Sequence, residues 1–505
     1  MKRRHFLAST ALAATAVAGH SKESAQAADS QPNVLFIMTD QHRKAALGCY
    51  GDPVIKTPHI DKLAEEGVLC EQCWTQHPVC MPSRAAIFTG RYPMANGVRS
   101  NGVELPKDEI TMAHSFAKAG YRTGGAGKFH FENHFDQPPF THDLPRMENH
   151  PEPYYGFQEF HIGQDGRRGE QAYWIKTEHP QWAGKPDHEI PLELHNSTWA
   201  TDHTLRFIRD SHQQGKPFFS FCSFVDPHHG YNPPSPYREM YREEDMPAPI
   251  RREGELEGKP LPVQKRAAGR KKLNENVAKA RTQYYGEVTL IDDSIGRILD
   301  LLEELGIRDN TIIAFTADHG DLLGDHWDWY KGYVHYEHSA SVPMIFNWGR
   351  KLQQGKHVEN IVQSIDIFPT LAKLAGISLP DGVQGKSQVP VLTGGTEDTG
   401  YTAAFIDSYV DGLSGPNLAD SQSGRQDKVL GGNSNVYTLR TLQWRYSYYV
   451  GADYGELYDL KSDPNEFENR WDDPKLDDVK RRLKGELMDR IIEARDPLPV
   501  RTHPY

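Results

Sequence analysis

The most regular feature of the chain is a set of short apolar runs separated by amphipathic stretches. Residues 33–38 (Asn-Val-Leu-Phe-Ile-Met), 217–225 and 311–316 carry no charged side chain and are short, the pattern of strands buried on both faces. Residues 121–127 form a fourth extended run, built mostly of small residues and ending Gly-Ala-Gly. Between these runs, residues 58–66, 80–90, 112–119 and 199–209 read as helices. The clearest helix covers 284–305, where Val288, Ile291, Ile295, Ile298, Leu302 and Leu305 recur at three- and four-residue spacing.

Strands alternating with helices in this way predict an α/β fold: a large mixed, mainly parallel sheet sandwiched by helices. After a short helix ending at Ala375 the pattern changes. Residues 435–439 and 446–450 look like strands near turns, and residues 474–494 form a charged final helix. We therefore expect a principal domain over residues 32–380. A smaller C-terminal α+β subdomain over 381–505 would carry an antiparallel sheet. From 131 to 182 no regular period is evident, and His, Pro and aromatic residues crowd together. A long loop of that composition suits a functional role, and its aromatic side chains suit a sugar-binding wall.

Residues 1–27 predict a targeting signal. Lys2-Arg3-Arg4 precedes Phe6-Leu7, an Ala-rich apolar run extends to Ala18, and Ala25-Gln26-Ala27 supplies small residues for cleavage. The paired arginines are of the twin-arginine type. The run is too short to span a bilayer, so no stable membrane insertion is expected. The expectation is an exported chain, periplasmic or secreted. Export would put the cysteines in an oxidising compartment. With Cys80 set apart, Cys49, Cys70, Cys73 and Cys222 leave three pairings open. Cys70 and Cys73 could form half a zinc site, but no second ligand pair stands at a finger-like spacing.

A net charge of −12 argues against nucleic acid as a partner, so an anionic ligand would need a local basic pocket. The basic groups Arg251-Arg252, Lys265-Arg266 and Arg270-Lys271-Lys272 fit either a solvated face or a rim that attracts an anionic polymer.

Polar residues follow each apolar run. Asp40 and Gln41 follow the first, Lys128 and His130 the second, His228 the third, and Asp318 with His319 the fourth. In open α/β sheets, ligands bind beyond the carboxyl ends of the strands. Lys128 and His130, two residues apart, would point to one side of a continuing strand. Two carboxylates with other hard oxygen donors suit Ca²⁺ or Mg²⁺, and surplus cationic side chains suit an oxyanion. The run Cys80-Met81-Pro82-Ser83-Arg84 reads as a helix start, with Pro82 in the first turn and Gly90 as a left-handed stop. Cys80 then lies beside a helix N-terminus, with Arg84 one turn on, where an anion is favoured.

That run resembles the C-x-P-S-R signature of type I sulfatases, the formylglycine-dependent family with an alkaline phosphatase-like fold. The resemblance continues through Thr89-Gly90-Arg91. It spans nearly the whole mature chain in ordered blocks: Thr39-Asp40-Gln41, Gly127-Lys128-Phe129-His130, Asp226-Pro227-His228, Ala317-Asp318-His319-Gly320-Asp321, Lys331 ahead of Tyr336-Glu337, and Glu456-Leu457-Tyr458-Asp459-Leu460. It implies an enzyme that hydrolyses sulfate esters; the export signal, the aromatic loop and the basic segment point to sulfated carbohydrate or polysaccharide as its substrate. A formylglycine-maturation enzyme would be a transient partner.

Carried over by position, the resemblance implies that Cys80 is converted to 3-oxoalanine (formylglycine), whose hydrate attacks sulfur. Asp40, Gln41, position 80, Asp318 and His319 would hold a divalent cation, Ca²⁺ before Mg²⁺ or Mn²⁺. Lys128 and Lys331 would neutralise the sulfuryl oxygens. His228 would protonate the leaving oxygen, His130 would act as base in the release of sulfate, and Arg84 would steady the formylglycine. Many family members carry paired acids where this chain has Asp40-Gln41, which costs the metal site one negative charge. The Asp-Gln form is also similar to choline sulfatases and phosphonate monoester hydrolases, so a phosphonate monoester or phosphodiester hydrolase, or a choline sulfatase, on the same scaffold stands as the alternative.

Overall fold

The computed structural model describes residues 31–132, 153–164, 168–349, 351–410 and 434–498. The targeting signal expected over 1–27, and much of the irregular stretch after 131, lie outside the described residues. The main sheet is built from β1 (Asn33–Thr39), β2 (Val68–Trp74), β3 (Arg122–Gly127), β4 (Glu159–Gln164), β5 (Arg168–Gly169), β6 (Phe218–Ser223), β7 (Thr311–Ala317), β8 (Met344–Asn347) and β9 (Lys356–Gln363). Its order is β5-β4-β3-β6-β1-β7-β8-β2-β9. From β4 to β7 every neighbouring pair is parallel, β8 runs against both its neighbours, and β2 and β9 are again parallel. The expected mixed, mainly parallel sheet is thus present.

β1 shows why its sequence is apolar throughout. Val34, Phe36 and Met38 enter one core, while Leu35 and Ile37 enter the other on the opposite face. Successive side chains in a strand point to opposite faces, so a doubly covered strand has no polar alternation. Helix α1 (Pro58–Glu65) and the long helix α6 (Val277–Glu304) cover the Leu35 face, while α2 (Cys80–Thr89) covers the Phe36 face through Phe88. Each such core side chain contributes about 1.5–3 kcal/mol on burial.

A second sheet, β10 (Ala403–Val410), β11 (Ser434–Thr441), β12 (Trp444–Tyr449) and β13 (Gly455–Asp459), is antiparallel in chain order. It packs beside the first rather than standing apart. Phe405, Leu439, Tyr446 and Leu487 of the terminal helix share one apolar cluster with Ala86 of α2 and Ile365.

Three expectations change. The stretch from 131 to 182 contains order: β4 and a helix, α4 (Glu170–Glu178), lie within it. Its rings Tyr154, Tyr155 and Phe157 do not line a sugar-binding wall. They are buried in an aromatic cluster with Phe129 and Phe131, the Phe129–Phe157 centroids being 5.0 Å apart edge to face. The basic run is only partly a solvated face: Arg252, Lys265, Lys271 and Lys272 are exposed, whereas Arg266 pairs with Asp328 at 2.5 Å, Lys259 donates to the Tyr458 hydroxyl at 2.8 Å, and Arg251 sits over the Trp327 ring at 4.3 Å. All five cysteines are free thiols, so none of the three pairings forms. A bulge between Cys70 and Gln72 turns β2 so that Cys70 and Cys73 enter the same apolar core.

Gly127 ends β3 with φ +100°, and a Cβ there would overlap the Ser223 carbonyl oxygen of β6. Gly127→Ala should therefore cost at least about 2 kcal/mol, the scale of a strained backbone position. It should also lower activity by displacing Lys128. Denaturant unfolding checks this; an unchanged midpoint would remove the constraint.

Candidate active site

Strand register brings the polar tips together. Thr39 of β1 pairs with Ala317 of β7, and Gly127 of β3 pairs with Ser223 of β6, which in turn flanks Met38. Asp40, Asp318, Lys128 and the turn after Ser223 therefore leave the sheet at one level. Backbone bonds continue past the strands: Asp318 N–H donates to the Thr39 carbonyl at 3.2 Å, and Lys128 N–H to the Ser223 carbonyl at 3.0 Å. Asp40, Gln41, Cys80, Arg84, Lys128, Asp318 and His319 are all buried there.

Cys80 is the first residue of α2, preceded by extended Val79, and Gly90 closes the helix at φ 65°. Lys331 Nζ donates to the Cys80 sulfur at 2.8 Å, and Lys128 Nζ stands 3.8 Å from it. His319 Nε2 lies 3.3 Å from the sulfur and Asp40 Oδ1 3.6 Å. Burial and Asp40 push the thiol up to about 11, against the opposing pull of the two lysines. As a plain thiol, Cys80 is a poor nucleophile at neutral pH.

The charge around it is balanced by one guanidinium. Arg84 donates from Nε to Asp318 at 2.7 Å, from Nη2 to Asp40 at 3.0 Å, and from Nη1 to Ser223 Oγ at 3.1 Å and to the Lys128 carbonyl. Only a planar fork of donors reaches all four acceptors. Lys128 Nζ adds a second contact to Asp40 at 2.7 Å. Burial alone would raise Asp40, but Lys128, Lys331, His228 and Arg84 together hold it well below the usual carboxylate range. Asp318 is raised, by burial and by its neighbour Asp40, with Arg84 opposing. Arg84 thus acts on position 80 through the two carboxylates.

The donor set fits a divalent cation. One ligand atom from each of Asp40, Cys80, Asp318 and His319 lies within 4.8 Å of the others. His319 Nδ1 bonds the Gly320 carbonyl at 3.0 Å, which leaves the Nε2 lone pair facing the carboxylates. Burial and Lys331 keep that imidazole neutral, the form that ligates metal.

Gln41 stands beside this cluster in left-handed backbone, φ 60°. Its Nε2 donates to Asp321 at 2.5 Å, and its Oε1 lies 3.1 Å from His229 Nδ1. Asp321 also accepts from the Tyr231 hydroxyl and from the backbone N–H groups of Leu323 and Tyr330. The amide is therefore fixed with its oxygen away from Asp321. A carboxylate at position 41 would meet Asp321 instead, which accounts for the glutamine. Asp321, His229 and Tyr231 were not singled out from the sequence as site residues; the His228-His229 doublet and the Asp318-His319-Gly320-Asp321 block were the available signals.

His228 sits close enough to Lys331 and Lys128 that they, with burial, hold it well below the usual imidazole range. The strand geometry expected for Lys128 and His130 is not observed. β3 ends at Gly127, Phe129 turns into the aromatic core, and His130 is buried in left-handed backbone at φ 57°.

A buried cysteine flanked by lysines, beside a carboxylate pair that fits a cation, all at the carboxyl ends of a parallel sheet, suits a hydrolase for anionic esters. The Sulfatase family model matches residues 32–377, well over half the chain. The chain belongs to the sulfatase family, with an alkaline phosphatase-like fold, and is a sulfuric ester hydrolase. It is 31% identical over 469 residues to an arylsulfatase of Clostridium perfringens, covering 87% of this chain and 90% of that protein. It is 28% identical over 502 residues to an ulvan-active sulfatase of Formosa agariphila, covering 94% and 84%. Among solved structures it matches a phosphonate monoester hydrolase of Agrobacterium radiobacter with a TM-score of 0.79, covering 94% of this chain and 98% of that one at 24% identity, a likeness of fold.

Arg84→Lys keeps the charge but loses the fork. It should lower turnover at least tenfold and cost about 2–3 kcal/mol of stability, since bonds to charged groups are worth ~1.5–3 kcal/mol. Turnover and denaturant unfolding measured together check this; wild-type values in both would show that charge alone suffices.

Proposed function

We propose that the chain is an exported, formylglycine-dependent sulfatase that removes sulfate from carbohydrate. The observation that carries this is the place of Cys80 at the first position of α2, with Lys331 Nζ at 2.8 Å and His319 Nε2 at 3.3 Å from its sulfur. A thiol with its pKa pushed up to about 11 is ill suited to attack, whereas the same position converted to an aldehyde and hydrated supplies a hydroxyl nucleophile. The C-x-P-S-R run at residues 80–84 favours that conversion by a maturation enzyme. Asp40, Asp318, His319 and position 80 would hold a divalent cation, Ca²⁺ being the best match to the carboxylate oxygens, with Gln41 turned to Asp321 and His229 beside them. When bound, it would orient the sulfate and spread its charge.

The chain's own groups do the rest. Lys128 and Lys331 bind the sulfuryl oxygens and stabilise the charge that develops on them. Arg84 holds Asp40 and Asp318 in place. His228, under the influence of both lysines, delivers a proton to the leaving oxygen once a bound anion offsets their charge. His130 takes the hydroxyl proton in the step that releases sulfate. Carbohydrate as substrate rests on the predicted export signal and on relatives such as the ulvan-active sulfatase.

Matured protein should release inorganic sulfate from a sulfated oligo- or polysaccharide within a panel that also holds aryl sulfates, choline sulfate, phosphodiesters and phosphonate esters. Preferential turnover of a phosphoryl ester would overturn the assignment. Cys80→Ala should abolish turnover while the fold persists, and substantial residual activity would remove the formylglycine mechanism. Removing metal with a chelator should lower turnover at least tenfold, and Ca²⁺ should restore it; full activity without metal would exclude the cation.

A further inference from the structure

A second group of metal-ligating side chains lies outside the catalytic cluster. His161 of β4, Glu170 at the start of α4, and His203 of the helix α5 (Asn196–Gln213) each present one ligand atom, all within 4.8 Å of one another. His161 Nδ1 lies 2.9 Å from Glu170 Oε1, and Glu159 stands on its other side with Oε1 3.9 Å from Nε2. The His161 and His203 rings are 3.7 Å apart. His203 Nδ1 is buried and has no hydrogen-bond partner. A buried donor or acceptor left unpaired costs stability, so this atom needs an explanation. The group borders a small recess lined by Gly125, Ala126, Glu159, Thr204, Phe207 and Ser220. His161 and Glu170 are each part-exposed, which gives an ion a way in.

We propose that His161, Glu170 and His203 form a second metal site, selective for a borderline transition ion such as Zn²⁺ and separate from the catalytic cation. Two imidazoles and one carboxylate suit Zn²⁺, whereas the catalytic cluster, richer in oxygen, suits Ca²⁺. A bound ion would give His203 a partner and draw His161, Glu170 and His203 onto one centre. The consequence is structural. The ion ties β4, α4 and α5 together near the edge of the main sheet.

The test is equilibrium uptake of Zn²⁺ by the full-length protein already saturated with Ca²⁺. Wild type should bind one ion per chain more than either His203→Ala or Glu170→Gln, with a higher unfolding temperature. Both variants should keep Ca²⁺-dependent sulfate release. Glu170→Gln, at a part-exposed helix start, guards against misfolding of the histidine variant, and unfolding without metal verifies both. Equal uptake by wild type and a folded variant, or no uptake by wild type, would overturn the site.

Discussion

Asp40 and Asp318 stand side by side, both fully buried, and the site depends on how their charge is offset. Taking a carboxylate out of water costs several kcal/mol unless it is paired and hydrogen-bonded. Arg84 meets both acids through separate nitrogens and uses its remaining contacts on the Lys128 carbonyl and Ser223. Lys128 and Lys331 then bring positive charge beyond what two carboxylates cancel. That surplus is what makes the pocket receptive to an anionic ester in a chain whose net charge is −12. His319, kept neutral, adds a lone pair without adding charge.

The fold supplies the rigidity this balance needs. Every member of the cluster except Lys331 and the α2 residues leaves a strand, or the turn just beyond it, within a few residues of its carboxyl end. Side chains held on strand ends and a helix start are placed more tightly than those on free loops. The second sheet extends the same support, because its apolar face packs against Ala86 of the helix that presents Cys80. Gln41 shows the balance from another side. Asp321 accepts its amide N–H, so a neutral residue occupies a place where a second acid would face an existing one.

Much of this was legible in the sequence, for physical reasons. β1, β6 and β7 are covered on both faces, so their residues are apolar without interruption, and the acids or histidines that follow them mark the ligand-binding edge. The start and stop of α2 were visible in Pro82 and Gly90. Other elements were hidden. β2 carries a bulge that breaks its period, β8 has only four residues, and β4 includes Glu159 and His161 on a half-open edge. The first turns of α6 look polar because Arg281 is buried against Asp325. The Gln41–Asp321 bond joins residues 280 apart in the chain, and no local spacing encodes it.

The central claim is that position 80 works as an aldehyde rather than as a thiol. The most direct measurement is peptide mass analysis of residue 80 in preparations matured to different extents, with sulfate release measured on the same samples. The account predicts that specific activity rises in proportion to the fraction of chains carrying the aldehyde and extrapolates to zero when every chain keeps Cys80. Sulfate release by chains that retain the thiol, independent of that fraction, would contradict it.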